Sequence, residues 1–184
     1  MDARALERVR VLDLDGQPVK LAELWAAQPA VVVWLRHFGC LYCAEQARDF
    51  ALARSDIEAA GAQLAFIGNG SLDHALAFAA DRVPGCTVLT DPRLGSYRAA
   101  GARHGIMRTV GPRSWRHALR ALSRGARQSR VQGHPFQQGG VAVFARGGRV
   151  AYAYLSETAG DHPPMSAVLD ALRSLGTDTL PRSA

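Results

Sequence analysis

The chain has 184 residues and is poor in cysteine, in lysine and in long apolar runs. Three cysteines are too few for a disulfide framework. A structural zinc site needs four ligands, and only one Cys-x-x-Cys is present, so Cys86, His37 and His104 would all have to converge. No metal or organic cofactor is expected. No apolar run approaches the roughly 18 residues that span a bilayer. The first eight residues include Asp2 and Glu7 and have no apolar core, which argues against a secretory signal and for a cytoplasmic location. Acidic residues are missing from one long stretch: residues 92–156 hold twelve arginines and no acid, whereas 1–91 sum to −4 and 157–184 to −2. Lys20 is the only lysine among 22 basic residues, which fits compositional bias in an alanine-rich chain. The charge is local, so it is weak support for a nucleic-acid partner.

The remaining composition is that of a globular protein, with 48% hydrophobic and 21% charged residues. The length suits one domain covering 1–184 that buries about 70% of its unfolded surface. No linker or internal repeat interrupts it. Residues 9–14 and 19–21 flank Asp15-Gly16-Gln17-Pro18 and predict a short hairpin. A helical turn follows at 21–27, and the apolar run 30–35 predicts a strand covered on both faces. A helix is expected over 40–60, strands over 62–67 and 86–89, and helices over 71–82 and 94–102. A helical insertion spans about 104–130, with its helix at 112–128. Strands at 141–145 and 149–155 flank Gly147-Gly148, and a last helix opens at Pro163-Pro164 and stops at Gly176. Alternating strands and helices predict a three-layer α/β fold with a central mixed sheet. A βαβ half followed by a ββα half is the thioredoxin-type order.

Cys40 falls where the buried strand gives way to a helix. The unpaired N–H groups and positive dipole end of a helix N-terminus favour a thiolate there. Arg36 and His37, just upstream, add positive charge or, for His37, a base. His37 could instead cap the strand end through local hydrogen bonds. Cys43 sits one turn on, placed to attack an oxidised Cys40. The alternative is two packed helix cysteines, a common fate of free cysteine. The redox reading requires the two sulfurs to be within bonding reach and not sealed beneath side chains. Cys86 is expected to be a packed strand residue.

In the insertion, Trp115, Leu119, Leu122 and Ala126 share one helix side, and Arg113, Arg116, Arg120, Arg124 and Arg127 share the other. This stripe is either a solvated face or a docking surface for an acidic partner. A non-catalytic module using it is the alternative to an enzyme. Its aromatics do not interleave with the arginines, so it does not look like a nucleic-acid platform.

Arg36-His37-Phe38-Gly39-Cys40-Leu41-Tyr42-Cys43, set beside Gln137-Gln138-Gly139-Gly140, resembles the peroxiredoxin-like AhpC/TSA family, in the branch related to prostamide/prostaglandin F synthase. The resemblance runs over about residues 9–175 and includes Asp91-Pro92, Tyr97 and Gly133-His134-Pro135-Phe136. It implies a thioredoxin fold and thiol-dependent redox activity, with Cys40 in the nucleophilic place and Cys43 in the resolving one. A thiol reductant of thioredoxin or glutathione type and a hydroperoxide or disulfide substrate go with it; it says nothing of oligomeric state.

The chain departs from the typical Pro-x-x-x-Thr-x-x-Cys pattern: Val33 stands at the proline position and His37 at the threonine position. The fast peroxide chemistry of typical members is therefore not implied. Gly139-Gly140 occupies the place of the thioredoxin cis-proline, which suits either close approach by a substrate or a tight turn.

Overall fold

β3 (Ala30–Trp34) is the centre of the protein, and all five of its residues are buried. The computed structural model describes residues 1–102, 137–158 and 160–177. The expected insertion, its arginine stripe and Gly133-His134-Pro135-Phe136 lie outside the described residues, as does His104.

β3 pairs in parallel with β4 (Gln63–Gly68) and antiparallel with β6 (Gly140–Phe144). β5 (Thr87–Thr90) runs parallel to β4 on its other side. The hairpin of β1 (Arg10–Leu12) and β2 (Pro18–Lys20) adds one edge, and β7 (Val150–Leu155), antiparallel to β6, adds the other. The sheet order is β2-β1-β5-β4-β3-β6-β7, a mixed seven-stranded sheet.

Strand alternation divides the core into two layers. Val31 and Val33, Leu64 and Phe66, and Val141 and Val143 face one side of the sheet. There they meet α2 (Leu41–Leu52) through Cys43, Ala47 and Phe50, α3 (Arg54–Ala59) through Ile57, α4 (Leu72–Arg82) through Phe78, and α6 (Met165–Thr177) through Val168 and Leu172. Ala30, Val32, Trp34, Ile67 and Phe144 face the other side, against α1 (Ala3–Arg8), a 3-10 turn at Leu21–Trp25 and α5 (Gly95–Ala100). Helices on both faces of a mixed sheet make the expected three-layer α/β architecture.

Three local expectations are corrected. The helix expected over 40–60 is two helices, because the backbone leaves helical geometry at Ala53 before α3 begins. The last helix continues through Gly176, a residue whose helical cost is only about 1 kcal/mol relative to alanine. α1 was not anticipated: it is one and a half turns long, capped by the Asp2 carboxylate on the Ala5 N–H, and buries Leu6 fully. No helix among the described residues is long and apolar enough to cross a membrane.

Candidate active site

The C-terminal end of β3 delivers the site. After Trp34 the chain continues as Leu35-Arg36-His37-Phe38-Gly39, and its path is fixed from two directions. The Leu35 N–H donates to the Ile67 carbonyl at 2.8 Å, and the Asn69 side-chain amide donates to the Arg36 carbonyl. The Tyr97 hydroxyl, fully buried, donates to the carbonyls of Leu35 at 2.6 Å and Ile67 at 3.0 Å. The Phe38 ring lies over Gly68, where a Cβ would come within 2.3 Å of it. A side chain at position 68 would therefore displace the Phe38 ring from its place over the strand.

Cys40 is the N-cap of α2, in extended geometry, with its own N–H donating to the His37 carbonyl at 3.2 Å. Its side chain makes no capping hydrogen bond, but the amides of Cys43 and Tyr42 face the sulfur. The Arg36 guanidinium stands 3.6 Å from the same sulfur through Nη1 and donates through Nε to the Gln137 carbonyl at 3.3 Å. The Arg36 backbone N–H donates to the Cys43 sulfur at 3.2 Å. Both cysteines are free thiols.

The electrostatics set the two sulfurs apart. The Cys43 thiol hydrogen-bonds to Cys40, and with Arg36 and the two amides it brings the Cys40 thiol down from 9.0 to about 6, against the opposing effect of burial. Burial raises Cys43 well above the ordinary thiol range, and the neighbouring Cys40 charge raises it further. The two shifts run in opposite directions and favour the charged form at Cys40 and the protonated form at Cys43.

Arg36, His37, Cys40 and Cys43 thus lie close together at the start of α2. Two points differ. His37 is held neutral: burial, then the Arg36 charge, lowers it to about 4, so it supplies no positive charge to Cys40 at neutral pH. Its Nδ1 is buried without a hydrogen-bond partner. In addition, the site is closed. Cys40 is 3% exposed and Cys43 1%, so both sulfurs are sealed beneath side chains in this state, and the access that the redox reading requires is not met in it.

Gly139 and Gly140 lie beside the same segment. Gly140 pairs with Trp34, and a Cβ on Gly139 would stand 2.2 Å from the Trp34 carbonyl oxygen and 3.5 Å from the Arg36 nitrogen. The close approach made by Gly139 is to the protein's own backbone. Cys86 lies elsewhere, partly buried beside Arg54, and no cluster of metal-ligating side chains occurs among the described residues.

Sequence reasoning did not single out Gln137 as the acceptor of Arg36, nor Asn69, nor His162, whose Nε2 lies 3.2 Å from the Tyr42 carbonyl. Asn69 had carried only the signal of a strand breaker, between Gly68 and Gly70.

Known proteins resemble this chain in sequence and in fold. The thioredoxin-like protein AAED1, chloroplastic, of Arabidopsis thaliana is 33% identical over 178 residues, spanning 92% of this chain and 72% of that protein. The prostamide/prostaglandin F synthase of Sus scrofa is 27% identical over 162 residues, spanning 85% and 80%. The crystal structure of peroxidoxin BcpB from Mycobacterium tuberculosis superposes with a TM-score of 0.67 at 16% identity, covering 90% of this chain and 92% of that one. That likeness establishes the thioredoxin-type peroxiredoxin fold. The profile of the AhpC/TSA antioxidant enzyme family matches residues 50–158, and with the relatives on either side of that span the chain belongs to the AhpC/TSA antioxidant family.

Proposed function

We propose that this protein is a thiol-dependent oxidoreductase in which Cys40 is the nucleophile and Cys43 the resolving thiol. The observation that carries the reading is geometric: the Cys40 sulfur lies at the N-cap of α2 with the Arg36 guanidinium 3.6 Å away, and Cys43 follows one turn on, its sulfur 3.2 Å from the Arg36 N–H. A hydroperoxide is one substrate class for such a thiolate. The Cys40 thiolate attacks the distal oxygen, the O–O bond breaks, and the alkoxide takes a proton to leave as alcohol, with Cys40 oxidised to sulfenic acid. Cys43 then attacks the Cys40 sulfur, expelling water and forming the Cys40–Cys43 disulfide. Two equivalents of an external thiol, of thioredoxin or glutathione type, return both cysteines to the reduced form. With a disulfide as substrate, the same thiolate forms a mixed disulfide that Cys43 resolves.

Arg36 faces the reacting sulfur and is the charge available to hold the thiolate and steady an incoming oxygen. In this reading His37 is a neutral neighbour of the sulfurs, and its lowered basicity makes it a weak proton acceptor. Because Cys40 is 3% exposed, reaction requires the segment carrying His37 and Phe38, or the first turn of α2, to open. A cytoplasmic setting, where thiol reductants abound, suits this cycle.

The test is turnover of hydroperoxide with a dithiol donor, followed by mass spectrometry of the cysteines. Cys40→Ser removes turnover, whereas Cys43→Ser accumulates a sulfenic acid or mixed disulfide on Cys40. Unchanged turnover in Cys40→Ser overturns the proposal.

A further inference from the structure

The carbonyl of Tyr42 and the N–H of Cys43 are the two ends of one peptide group, whose atoms lie in a plane with the two bonds pointing in opposite directions. The N–H end belongs to the third residue of α2, among the amides that a helix leaves unpaired toward its N-cap, and that N-cap is Cys40. The carbonyl end meets His162, whose Nε2 is 3.2 Å from the Tyr42 oxygen. A carbonyl oxygen only accepts, so Nε2 carries the proton of this bond.

His162 is itself held. The carboxylate of the preceding residue, Asp161, accepts from the Tyr154 hydroxyl and from the Glu157 N–H at 2.8 Å. The Ser156 hydroxyl donates to the Asp161 carbonyl at 2.8 Å. The Ser156 N–H donates to the Gly139 carbonyl at 3.1 Å, which ties this segment to the strand beside Arg36. Pro163 and Pro164 follow at once and lead into α6. A histidine from the far end of the chain is thus fastened on both sides of its own position and aimed at the peptide between the two cysteines.

We propose that His162 is a positioning residue for Cys40, holding the Tyr42–Cys43 peptide so that its N–H stays directed at the sulfur. The inference rests on the reading of Cys40 as the reactive thiolate. A donor on the carbonyl also polarises the peptide and strengthens its N–H toward the thiolate, by roughly 10–30% for such chains. Among the described residues, the other groups acting on Cys40 are Arg36, the Cys43 thiol and the Tyr42 amide, all within its own β3–α2 segment. His162 is a contribution from outside that segment.

The test is the pH dependence of Cys40 alkylation by iodoacetamide, read by peptide mass mapping on the full chain. Three variants are compared with the unaltered protein: His162→Ala, His162→Phe, which keeps ring volume without the N–H, and His162→Gln, whose amide places a donor near the position of Nε2. Loss of the donor should move the alkylation midpoint up by about 0.3 to 0.6 pH unit, a two- to fourfold slower reaction below the midpoint. His162→Gln should restore the unaltered profile. A role in packing alone predicts no rescue by glutamine.

A midpoint within about 0.1 unit in His162→Phe, or a His162→Gln protein that behaves as His162→Phe does, overturns the proposal. If His162→Ala does not fold, the Phe and Gln pair still decides it. A Cys40 midpoint in the unaltered protein at that of a free thiol overturns the underlying reading instead, so the two failures are distinguishable.

Discussion

Replacing Arg36 by methionine keeps most of the side-chain volume and removes the one cation that acts on the Cys40 sulfur among the described residues. The guanidinium approaches that sulfur to 3.6 Å. A hydrogen bond to a charged partner is worth about 1.5–3 kcal/mol, and one pKa unit corresponds to about 1.4 kcal/mol, so the Cys40 thiol should rise by roughly one to two units. It would still fall short of its ordinary 9.0, because the Cys43 thiol and the two amides continue to face it.

At pH 6 the thiolate population then falls from about half to a tenth or less. The assay is the rate of Cys40 alkylation between pH 5 and 9, with urea unfolding in parallel. That control is needed because the Gln137 carbonyl, which Arg36 Nε reaches at 3.3 Å, loses a donor, and an unsatisfied buried acceptor costs about 1–3 kcal/mol. Arg36→Lys should fall between the two proteins, since one ammonium cannot reproduce both arms of the guanidinium. A Cys40 midpoint in Arg36→Met within about 0.3 unit of the unaltered protein refutes the electrostatic account, because the expected shift is at least about one unit.

Three further outcomes are expected. His37 protonates at about 4 in the folded protein and at 6.5 in the open chain, so its contribution to stability is complete above 6.5 and is lost as the pH falls toward 4. By pH 4.5 the loss is about 2–3 kcal/mol, and the gap between the protein and His37→Asn in urea unfolding should shrink by that amount from pH 7 to 4.5; a constant gap contradicts it. Gly139→Ala drives a methyl to 2.2 Å from the Trp34 carbonyl oxygen and should destabilise by about 3 kcal/mol or leave little folded protein, seen in thermal melts. Tyr97→Phe removes the hydroxyl that joins the Leu35 and Ile67 carbonyls and should cost about 1–2 kcal/mol in chemical denaturation, with Cys40 still alkylated fastest of the three cysteines.

The strands were legible because burial leaves a plain mark on them. The unbroken run at 30–34 lies inside the sheet, between β4 and β6, and its alternate residues feed the two core layers. Cys40 at the strand-to-helix junction was legible for the same reason, since the end of that run fixes where the next helix starts. Short helices left weaker marks: α1 buries one residue fully, and the Ala53 break lies among residues that all favour helix. The companions of the cysteines were not legible. Gln137 is 101 residues from Arg36, and His162 is 120 residues from Tyr42. Those contacts follow from β6 lying beside β3, a pairing that no local pattern encodes.

Exposure does not choose between the two sulfurs, since Cys40 is 3% and Cys43 1% exposed and burial pushes both thiols up. What separates them is the number of donors. Cys40 faces the Cys43 thiol, the Arg36 guanidinium and two amides, whereas Cys43 faces the amides of Arg36 and His37 and gives its own proton to Cys40. The order of the proposed cycle follows from that imbalance. Once Cys40 carries a sulfenic oxygen its negative charge is gone, and with it the Coulombic repulsion that helped keep Cys43 protonated. The resolving thiol then becomes easier to ionise at the step that needs it. Oxidation of the first sulfur therefore activates the second, with no group having to enter the site from outside.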